Sequence, residues 1–467
     1  MSDYRPIQER LQDFQPVELP LVDEVLAWEL TRCQDCGVPF CHNVGCPLAN
    51  AIPEINAAAL GGQWDKALAL LIATNPFPEF TSRVCPALCE GSCVQGLNEE
   101  SVPERRIEFQ VIERGFAADL LISRPPKRWL NLTAAVIGSG PAGLAAAWAL
   151  NRLGVQVTVY EKAARPGGFM RYGIPDFKLP KTILDRRVVL MKQDGIIFEC
   201  GVEVGVDISV RLLRRRHKIL ILAIGARCQR DLALPGRNLA GVLFATNYLA
   251  AQNQLIGGEI SDLPAEFNAQ GRRVIVLGGG DTGSDCVGTA LRQGATAVSQ
   301  FDILPRPPEA RDNDNPWPQW PRILRTSSSQ EEGGLRCWNI DTVEFLPAAH
   351  NPAVLGTLVG RKVTWDTSGS SFRPVPISGS EFHEEVDLVL LALGFTGVAY
   401  GPLLAGLDLQ PDLRGLLSTQ SGMEGRLAPG LYAVGDAVSG PSLVVRAIAS
   451  GLVTARTVQV DYGLETI

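Results

Sequence analysis

The most constraining feature of this sequence is a pair of glycine-rich loops, each placed between a predicted strand and a predicted helix. Both loops have the pattern GxGxxG, and they begin 140 residues apart in a chain of 467 residues. Glycines at these positions let the backbone approach a pyrophosphate, whose charge then lies at the N-terminus of the following helix. The apolar segments 134–137 and 274–277 predict the strands, and 144–153 and 282–292 predict the helices. We therefore expect an α/β protein with two Rossmann-like domains.

The first loop, residues 138–143, is predicted to bind FAD. Glu161 ends the next predicted strand, 18 residues after the loop, where an acid can bind the ribose hydroxyls of an adenosine. Two other segments favour FAD over a nicotinamide dinucleotide. Residues 165–168 (Arg-Pro-Gly-Gly) follow the acid closely, and Asp436 ends a late strand from which it can hold a ribityl hydroxyl. This combination is similar to that of flavoproteins with two dinucleotide-binding domains.

The second loop, residues 278–283, is predicted to bind a nicotinamide dinucleotide. Asp302 ends the following strand, 19 residues after the loop, where NADH-dependent enzymes place an acid. Arg306 and Arg311 follow, and a guanidinium at such a place can bind the 2′-phosphate of NADPH. The sequence favours NADPH and leaves NADH as the alternative.

The residues predicted to bind the two dinucleotides lie in or beside these turns and strand ends. They are Gly138, Gly140, Pro141, Ala142, Gly143, Glu161, Lys162, Gly168, Arg171, Gly225, Gly278, Gly280, Asp281, Thr282, Gly283, Arg306, Arg311, Gly394, Gly435, Asp436 and Leu443. We nominate no catalytic acid, base or nucleophile, because hydride transfer between nicotinamide and flavin depends on how the two rings are positioned.

Seven of the 11 cysteines fall within residues 33–93 and predict iron–sulfur clusters, which need several thiolates close together. The pattern is Cys33-x2-Cys36-x4-Cys41-x4-Cys46-Pro47, followed by Cys85-x3-Cys89-x3-Cys93. In ferredoxin-type runs the last cysteine, which precedes a proline, ligates the other cluster. We therefore expect the first three cysteines at one cluster. The second cluster would take Cys46, Cys85, Cys89 and Cys93.

Seven thiolates are one short of the ligands that two 4Fe-4S clusters need. A non-cysteine ligand, an open iron or a 3Fe cluster is therefore implied. Structural zinc is the alternative, because CxxC is also a zinc-binding pattern. A zinc site usually has a second CxxC, which this segment lacks, and only His42 lies nearby.

The chain divides into four predicted segments. Residues 1–128 form a helical Fe–S domain that ends in a basic, proline-rich linker. Residues 129–245 and 386–467 form a split FAD-binding domain, and residues 246–385 form an inserted NAD(P)H-binding domain.

Charge and hydropathy exclude two classes of partner. The net charge is −7, without the basic excess of a nucleic-acid-binding protein. A membrane span requires about 18 consecutive apolar residues, and no apolar run in the sequence approaches that length. Because the start, Met1-Ser2-Asp3-Tyr4, lacks the basic and apolar parts of a signal peptide, we expect a cytoplasmic protein.

Four segments together resemble the small (β) subunit of bacterial-type glutamate synthase, and the resemblance extends over essentially the whole chain. Two are the cysteine segments 33–42 and 83–93, and the third is 171–181. The fourth, 303–329, contains Pro-Arg-Pro-Pro-Glu-Ala-Arg and Asn-Pro-Trp-Pro and separates this family from other flavoproteins of similar fold.

This resemblance implies a subunit that takes a hydride from NADPH onto FAD. Electrons would then pass singly through two 4Fe-4S clusters to a large (α) subunit. That subunit carries FMN and makes glutamate from glutamine and 2-oxoglutarate. Two alternatives remain open: a stand-alone NAD(P)H reductase for ferredoxin or another acceptor, and a zinc-stabilised binding flavoprotein.

The resemblance also suggests an eighth cluster ligand. The related N-terminal region of dihydropyrimidine dehydrogenase uses a Gln there, and Glu108 falls at about that position in this chain. Two features depart from the family pattern. Arg446 stands where the family often has Trp, so that it either alters the flavin potential or faces solvent. Four residues separate Cys41 from Cys46, where many relatives have three.

Overall fold

The N-terminal region is a set of helices around one apolar core, in a computed structural model that describes residues 4–366 and 372–465. Residues 1–3, on which most of the expectation about the chain start rests, lie outside the described part. The core contains Leu26, Leu71 and Val111, each at most 2% exposed. The helices are α1 (Ile7–Arg10), α2 (Asp23–Thr31), α3 (Ile52–Leu60), α4 (Trp64–Thr74), α5 (Pro78–Val84), α6 (Leu88–Gly91) and α7 (Glu104–Ala117).

The rest of the chain alternates strands and helices. As far as Leu391 these elements are β1 (Thr133–Ile137), α8 (Pro141–Arg152), β2 (Gln156–Glu161), α9 (Phe169–Tyr172), α10 (Lys181–Gln193), β3 (Ile197–Cys200), α11 (Val210–Arg216), β4 (Ile219–Leu222), β5 (Cys228–Gln229), β6 (Val242–Phe244), α12 (Ala245–Ile256), β7 (Arg273–Leu277), α13 (Asp281–Arg292), β8 (Ala297–Asp302), α14 (Ser328–Glu331), β9 (Leu335–Trp338), β10 (Ile340–Ala348), β11 (Asn351–Asp366), β12 (Arg373–Pro376), β13 (Phe382–Glu385) and β14 (Leu388–Leu391). The last elements are β15 (Phe395–Gly397), α15 (Pro402–Ala405), β16 (Arg426–Ala428), β17 (Leu431–Ala433), α16 (Asp436–Ser439) and α17 (Val444–Asp461).

The first sheet has the strand order β16-β17-β4-β1-β2-β3. All neighbouring strands are parallel except the edge pair β16 and β17. Strand β1 is central and almost wholly buried, as its run of short apolar residues predicts. Helices α8 and α17 cover one face of the sheet together, because Gly451 of α17 lets the two backbones approach closely.

The second sheet is fully parallel and has the order β6-β14-β7-β8-β9. With the first sheet it confirms the expected α/β class with two Rossmann-like units. The expected domain boundaries at 245/246 and 385/386 are corrected, because each cuts off a strand that hydrogen-bonds into this sheet. Strand β6 ends at Phe244, and β14, which lies between β6 and β7, begins at Leu388. We propose that the second unit extends from before Val242 to after Leu391.

A third, antiparallel sheet is attached to the second unit and was not predicted. Strand β11 pairs with β10, β12 and β13. The segment of residues 305–340, which is rich in proline, contains the short elements α14 and β9.

The N-terminal helices pack directly onto the first unit. Phe77 and Phe80 are fully buried in the same apolar core as α8 and α17. At the same interface Arg187 of α10 donates to the carboxylate of Glu79 over 2.5 and 3.0 Å, with both side chains buried. Across the described ranges, no helix combines the length and the hydropathy needed to span a bilayer.

Candidate functional site

A cavity of about 430 Å³, which we call the dinucleotide cavity, opens at the carboxyl ends of β1 and β2. This is the edge at which parallel α/β sheets bind their ligands. Most of the residues predicted for the first dinucleotide line it. They are Gly138, Gly140, Pro141, Ala142, Glu161, Lys162, Gly168, Gly225, Asp436 and Leu443.

The residues that line the cavity are of the types that a dinucleotide site uses. A Cβ atom on Gly140 would meet nothing within 4 Å, so the space beside this residue at the start of α8 is free for a phosphate. Glu161 is fixed below the loop, because its Oε2 accepts from the backbone N and the Oγ of Ser139 at 3.0 and 2.5 Å. Asp436 accepts from Ser442 Oγ at 3.1 Å, and burial raises the pKa of its carboxyl group.

Four of the residues predicted for the first dinucleotide do not line the cavity. Gly143 and Gly435 lie just behind it, where they allow close packing against Gly138 and Ala142. Gly394 lies between β14 and β15, and Arg230 N donates to its carbonyl.

Arg171 is the fourth of these residues, and its buried side chain makes hydrogen bonds to other protein groups. Its Nε donates to the Pro166 carbonyl at 2.6 Å, and its Nη2 donates to Asp185 at 2.5 Å. With 1% of its surface exposed, Arg171 fixes the turn that leads to Gly168. Arg446, whose direction the sequence left open, is exposed and does not line the cavity.

Several cavity residues were missed because no sequence motif marks them. Arg227 places its guanidinium 4.4 Å from the centroid of the Phe169 ring, and both side chains line the cavity. Tyr400 and Leu403 reach it from the segment after β15. Only the fold brings that segment, about 260 residues after Gly140 in the chain, to this edge of the sheet.

The second glycine loop lies between β7 and α13, where its residues Gly278, Gly280, Asp281, Thr282 and Gly283 surround the start of the helix. Asp302 at the end of β8 covers this loop, because a Cβ atom on Gly279 would lie 1.9 Å from Asp302 Oδ2. Its other oxygen accepts from Leu304 N at 3.1 Å. Burial raises the pKa of Asp302.

Two arginines flank one indole beside Asp302. The guanidinium carbons of Arg306 and Arg336 lie 5.6 and 5.0 Å from the ring centroid of Trp338. Burial lowers the pKa of Arg336, and the nearby charge of Arg306 lowers it further. Arg336 was missed because it lies on the neighbouring strand, β9. A guanidinium at either place can bind an anionic group of a nucleotide.

Arg311, predicted to bind the same 2′-phosphate, instead has its guanidinium hydrogen-bonded to backbone carbonyls. It lies in residues 311–322, which we call the bridging loop. Its Nη2 donates to the Gly91 carbonyl at 2.8 Å, and its Nη1 donates to the Gln319 carbonyl at 2.6 Å. Four residues separate Arg311 from Arg306, which is enough for the chain to leave the nucleotide site and reach the N-terminal region.

The seven clustered cysteines form two groups, and one cysteine changes group relative to the prediction. The charge of Cys93 raises the pKa of Cys33 and Cys41, beyond the larger effect of burial. Cys93 also packs in the N-terminal helical core, whereas Cys46 and Cys85 pack against the core of the first unit. The reason is the short helix α6, which turns the chain between Cys89 and Cys93.

We therefore distinguish an outer and an inner cysteine site. The outer cysteine site consists of Cys33, Cys41 and Cys93, to which we assign Cys36 from its CxxC spacing with Cys33. The inner cysteine site consists of Cys46, Cys85, Cys89 and Glu108, which line one small cavity. The π-helical turn Cys41–Gly45 joins the two sites and packs so tightly that a Cβ atom on Gly45 would lie 2.6 Å from Cys89 Cα.

Glu108 presents a carboxylate oxygen to the inner cysteine site. Asn75 Nδ2 donates to its Oε1 at 3.1 Å, and Thr81 Oγ1 donates to the same oxygen, which leaves Oε2 for a ligand. Burial raises the pKa of Glu108 to about 8. Glu104, one helical turn earlier, lines the same cavity but accepts from Asn56 Nδ2 through both oxygens, at 3.1 and 3.0 Å. Sequence reasoning did not identify Glu104.

The donor sets fit iron–sulfur groups: four thiols at the outer site, and three thiols with a carboxylate at the inner one. Burial raises the pKa of Cys41 and Cys85 to about 12, so both are neutral until a metal displaces their protons. In the described part of the chain no group of three His, Cys, Asp or Glu side chains is spaced for a single metal ion. Of the four remaining cysteines, Cys286 is buried, whereas Cys200, Cys228 and Cys337 are half-buried.

Two sequence families match parts of the chain. Residues 10–121 match the family described as dihydropyrimidine dehydrogenase domain II, 4Fe-4S cluster. Residues 136–186 match an NAD(P)-binding Rossmann-like domain.

Two curated relatives match this chain along most of their own length, and a third is much longer than this chain. The glutamate synthase [NADPH] small chain of Mycobacterium tuberculosis is 44% identical over 97% of this chain and 92% of its own. That of Bacillus subtilis is 40% identical over 96% and 93%. The glutamate synthase [NADH] of Schizosaccharomyces pombe is 39% identical over 98% of this chain but only 22% of its own length.

Solved structures agree with the fold of the two Rossmann-like units. Mycobacterium tuberculosis FprA in complex with NADPH superposes with a TM-score of 0.54. The match covers 73% of this chain and 85% of FprA, at 19% identity.

Proposed function

The chain belongs to the family of glutamate synthase small chains, and on this basis we propose that it is the NADPH-oxidising, electron-input subunit of a glutamate synthase. Its partner is a large subunit that carries FMN and makes glutamate from glutamine and 2-oxoglutarate. The chain itself supplies the sites for NADPH, FAD and two 4Fe-4S clusters.

One observation carries this proposal: only the first turn of α17 lies between the dinucleotide cavity and the inner cysteine site. Leu443 and Val444 line the dinucleotide cavity, and Val445 lines the cavity of the inner cysteine site. When bound, a flavin converts a hydride into two single electrons, which iron–sulfur clusters carry one at a time. A separation of one helical turn suits that transfer.

The assigned residues have separate tasks. Gly140 admits the pyrophosphate of FAD, Glu161 holds its ribose, and Asp436 holds the ribityl chain. The inner cysteine site binds one cluster with Glu108 as the eighth ligand. The outer cysteine site binds the other cluster and is the more distant from the flavin.

NADPH is the proposed hydride donor because two arginines converge beside Asp302. Arg306 and Arg336 hold the 2′-phosphate between them, and Trp338 supports both guanidiniums. Asp302 caps the turn at Leu304, so its presence does not commit the site to NADH.

The proposal is tested by co-expressing the chain with the large subunit of the same organism and purifying both anaerobically. We expect glutamate to form only when NADPH, glutamine and 2-oxoglutarate are all present. A chain that reduces a dye with NADPH but drives no glutamate formation would instead be a stand-alone reductase. Zinc in place of iron in the purified chain would point to the zinc-stabilised alternative.

A further inference from the structure

The bridging loop lies against the backbone that carries the outer cysteine site. Arg311 donates to the Gly91 carbonyl, and Ser92 Oγ donates to the Pro318 carbonyl, each at 2.8 Å. Gly91 and Ser92 lead directly into Cys93. A loop of the second Rossmann-like unit therefore holds the backbone beside one ligand of the outer site.

Two tryptophans of the bridging loop extend this contact. The ring of Trp317 packs on Phe40, the residue before Cys41, with 4.6 Å between centroids. The ring of Trp320 lies on Gly91, where a Cβ atom would come within 2.8 Å of it. Both cysteine-bearing segments of the outer site are thus covered by indoles.

The conformation of the bridging loop is fixed by its own hydrogen bonds. Asn315 is 3% exposed, donates through Nδ2 to the Trp320 carbonyl at 3.1 Å, and accepts from Arg322 N at 2.7 Å. Trp317, between these anchors, has a defined position.

The indole N–H of Trp317 is buried and has no hydrogen-bond partner among the described residues. Buried donors in native proteins almost always have one. The thiolate and sulfide sulfurs of an iron–sulfur group accept such bonds, which contribute to its reduction potential.

We propose that Trp317 donates its indole N–H to a sulfur of the iron–sulfur group at the outer cysteine site, and that the bridging loop positions it there. This inference rests on the proposed function, since it requires that group to be present. A donor to sulfur stabilises the reduced, more negative state and therefore raises the reduction potential. Trp317 would thereby tune the reduction potential of the outer cysteine site.

The test compares Trp317→Phe, which keeps a ring on Phe40 but removes the N–H, with Trp320→Phe as the matched control. EPR-monitored redox titration of the anaerobic full chain, with iron and sulfide content measured, is the readout. We expect one cluster of the Trp317→Phe protein to have a more negative midpoint potential, and both midpoints of Trp320→Phe to be unchanged. Identical midpoints in Trp317→Phe and wild type, at equal iron content, would overturn the inference.

A second measurement avoids any substitution. Wild-type chain with ¹⁵N-labelled indoles should show coupling of one indole nitrogen to the reduced cluster in pulsed EPR. No coupling in a chain with full iron content would refute the hydrogen bond while leaving the proposed function intact. If the purified chain contained no iron, both the hydrogen bond and the proposed function would be refuted.

Discussion

At the scale of single residues, Glu108 is the side chain on which the inner cysteine site depends most. It faces three thiols and has one oxygen free, whereas both oxygens of Glu104 are occupied by Asn56. The helix after Cys93 could be predicted from sequence, and so could the position of Glu108 on it. The division of the cysteines could not, because Cys93 reaches the outer site through the turn made by α6.

Replacing Glu108 with Ala should cost the chain about half of its iron, since one of the two proposed clusters would lose a ligand. Glu108→Gln should keep the iron and change one reduction potential. Iron and acid-labile sulfide per flavin is the measurement. Glu104→Gln, one turn earlier on α7, is the control and should retain full iron; equal loss in both variants would contradict the assignment of Glu108.

Arg306 and Arg336 should set the preference for NADPH. Charge-assisted hydrogen bonds contribute about 1.5–3 kcal/mol each, so losing one should raise the KM for NADPH roughly 10- to 150-fold. In the Arg306→Gln and Arg336→Gln variants the KM for NADH should stay the same. Arg272→Gln, just before the opposite end of β7, controls for the change in net charge. A parallel rise for both nucleotides would argue against a 2′-phosphate site.

At the scale of elements, the two strand–loop–helix units are the part of the fold that sequence predicts best. Each combines a buried strand, a fixed glycine spacing and a helix start, and each has its expected place in a sheet. The hairpin of β10 and β11 was missed because alternating residues mark a strand but not the sheet that it joins. The boundaries of the second unit were misplaced because β6 and β14 are short and carry no motif.

The two loops allow a matched pair of substitutions. A Cβ atom on Gly140 or on Gly280 would meet nothing within 4 Å, so Ala should fold at either position and fill the space for a phosphate. Gly140→Ala should lose FAD and keep its iron. Gly280→Ala should stay yellow and bind NADPH at least about tenfold more weakly, by the loss of a charge-assisted contact. Flavin absorbance measures the bound FAD, and a titration with NADPH measures the second site. If Gly280→Ala lost FAD, the assignment of FAD to the first loop and NADPH to the second would be wrong.

At the scale of the whole molecule, buried charge joins the N-terminal helices to the first unit. Removing one partner of a buried ion pair costs about 3–5 kcal/mol, because the other charge is left without compensation. Arg187→Met should therefore lower the thermal midpoint of the whole chain markedly. The double variant Glu79→Leu with Arg187→Met should recover most of the loss. If the single variant melts like wild type, the pair does not hold the interface.

The proposed electron path is also a property of the whole molecule, since it would run from the second unit through the first unit into the N-terminal helices. Neighbouring residues at the start of α17 face both the dinucleotide cavity and the inner cysteine site. Sequence alone could name the three kinds of site but not this adjacency, which arises from packing between helices distant in the chain.

The most direct test of this path uses the complex with the large subunit, assembled with either wild-type chain or the Gly140→Ala variant. Glutamate formation is measured with NADPH and, separately, with a chemical reductant that bypasses the small chain. With NADPH, the wild-type complex should make glutamate and the FAD-free complex should make none; with the chemical reductant, both should make it. NADPH-driven glutamate formation at the wild-type rate by the FAD-free complex would contradict the account.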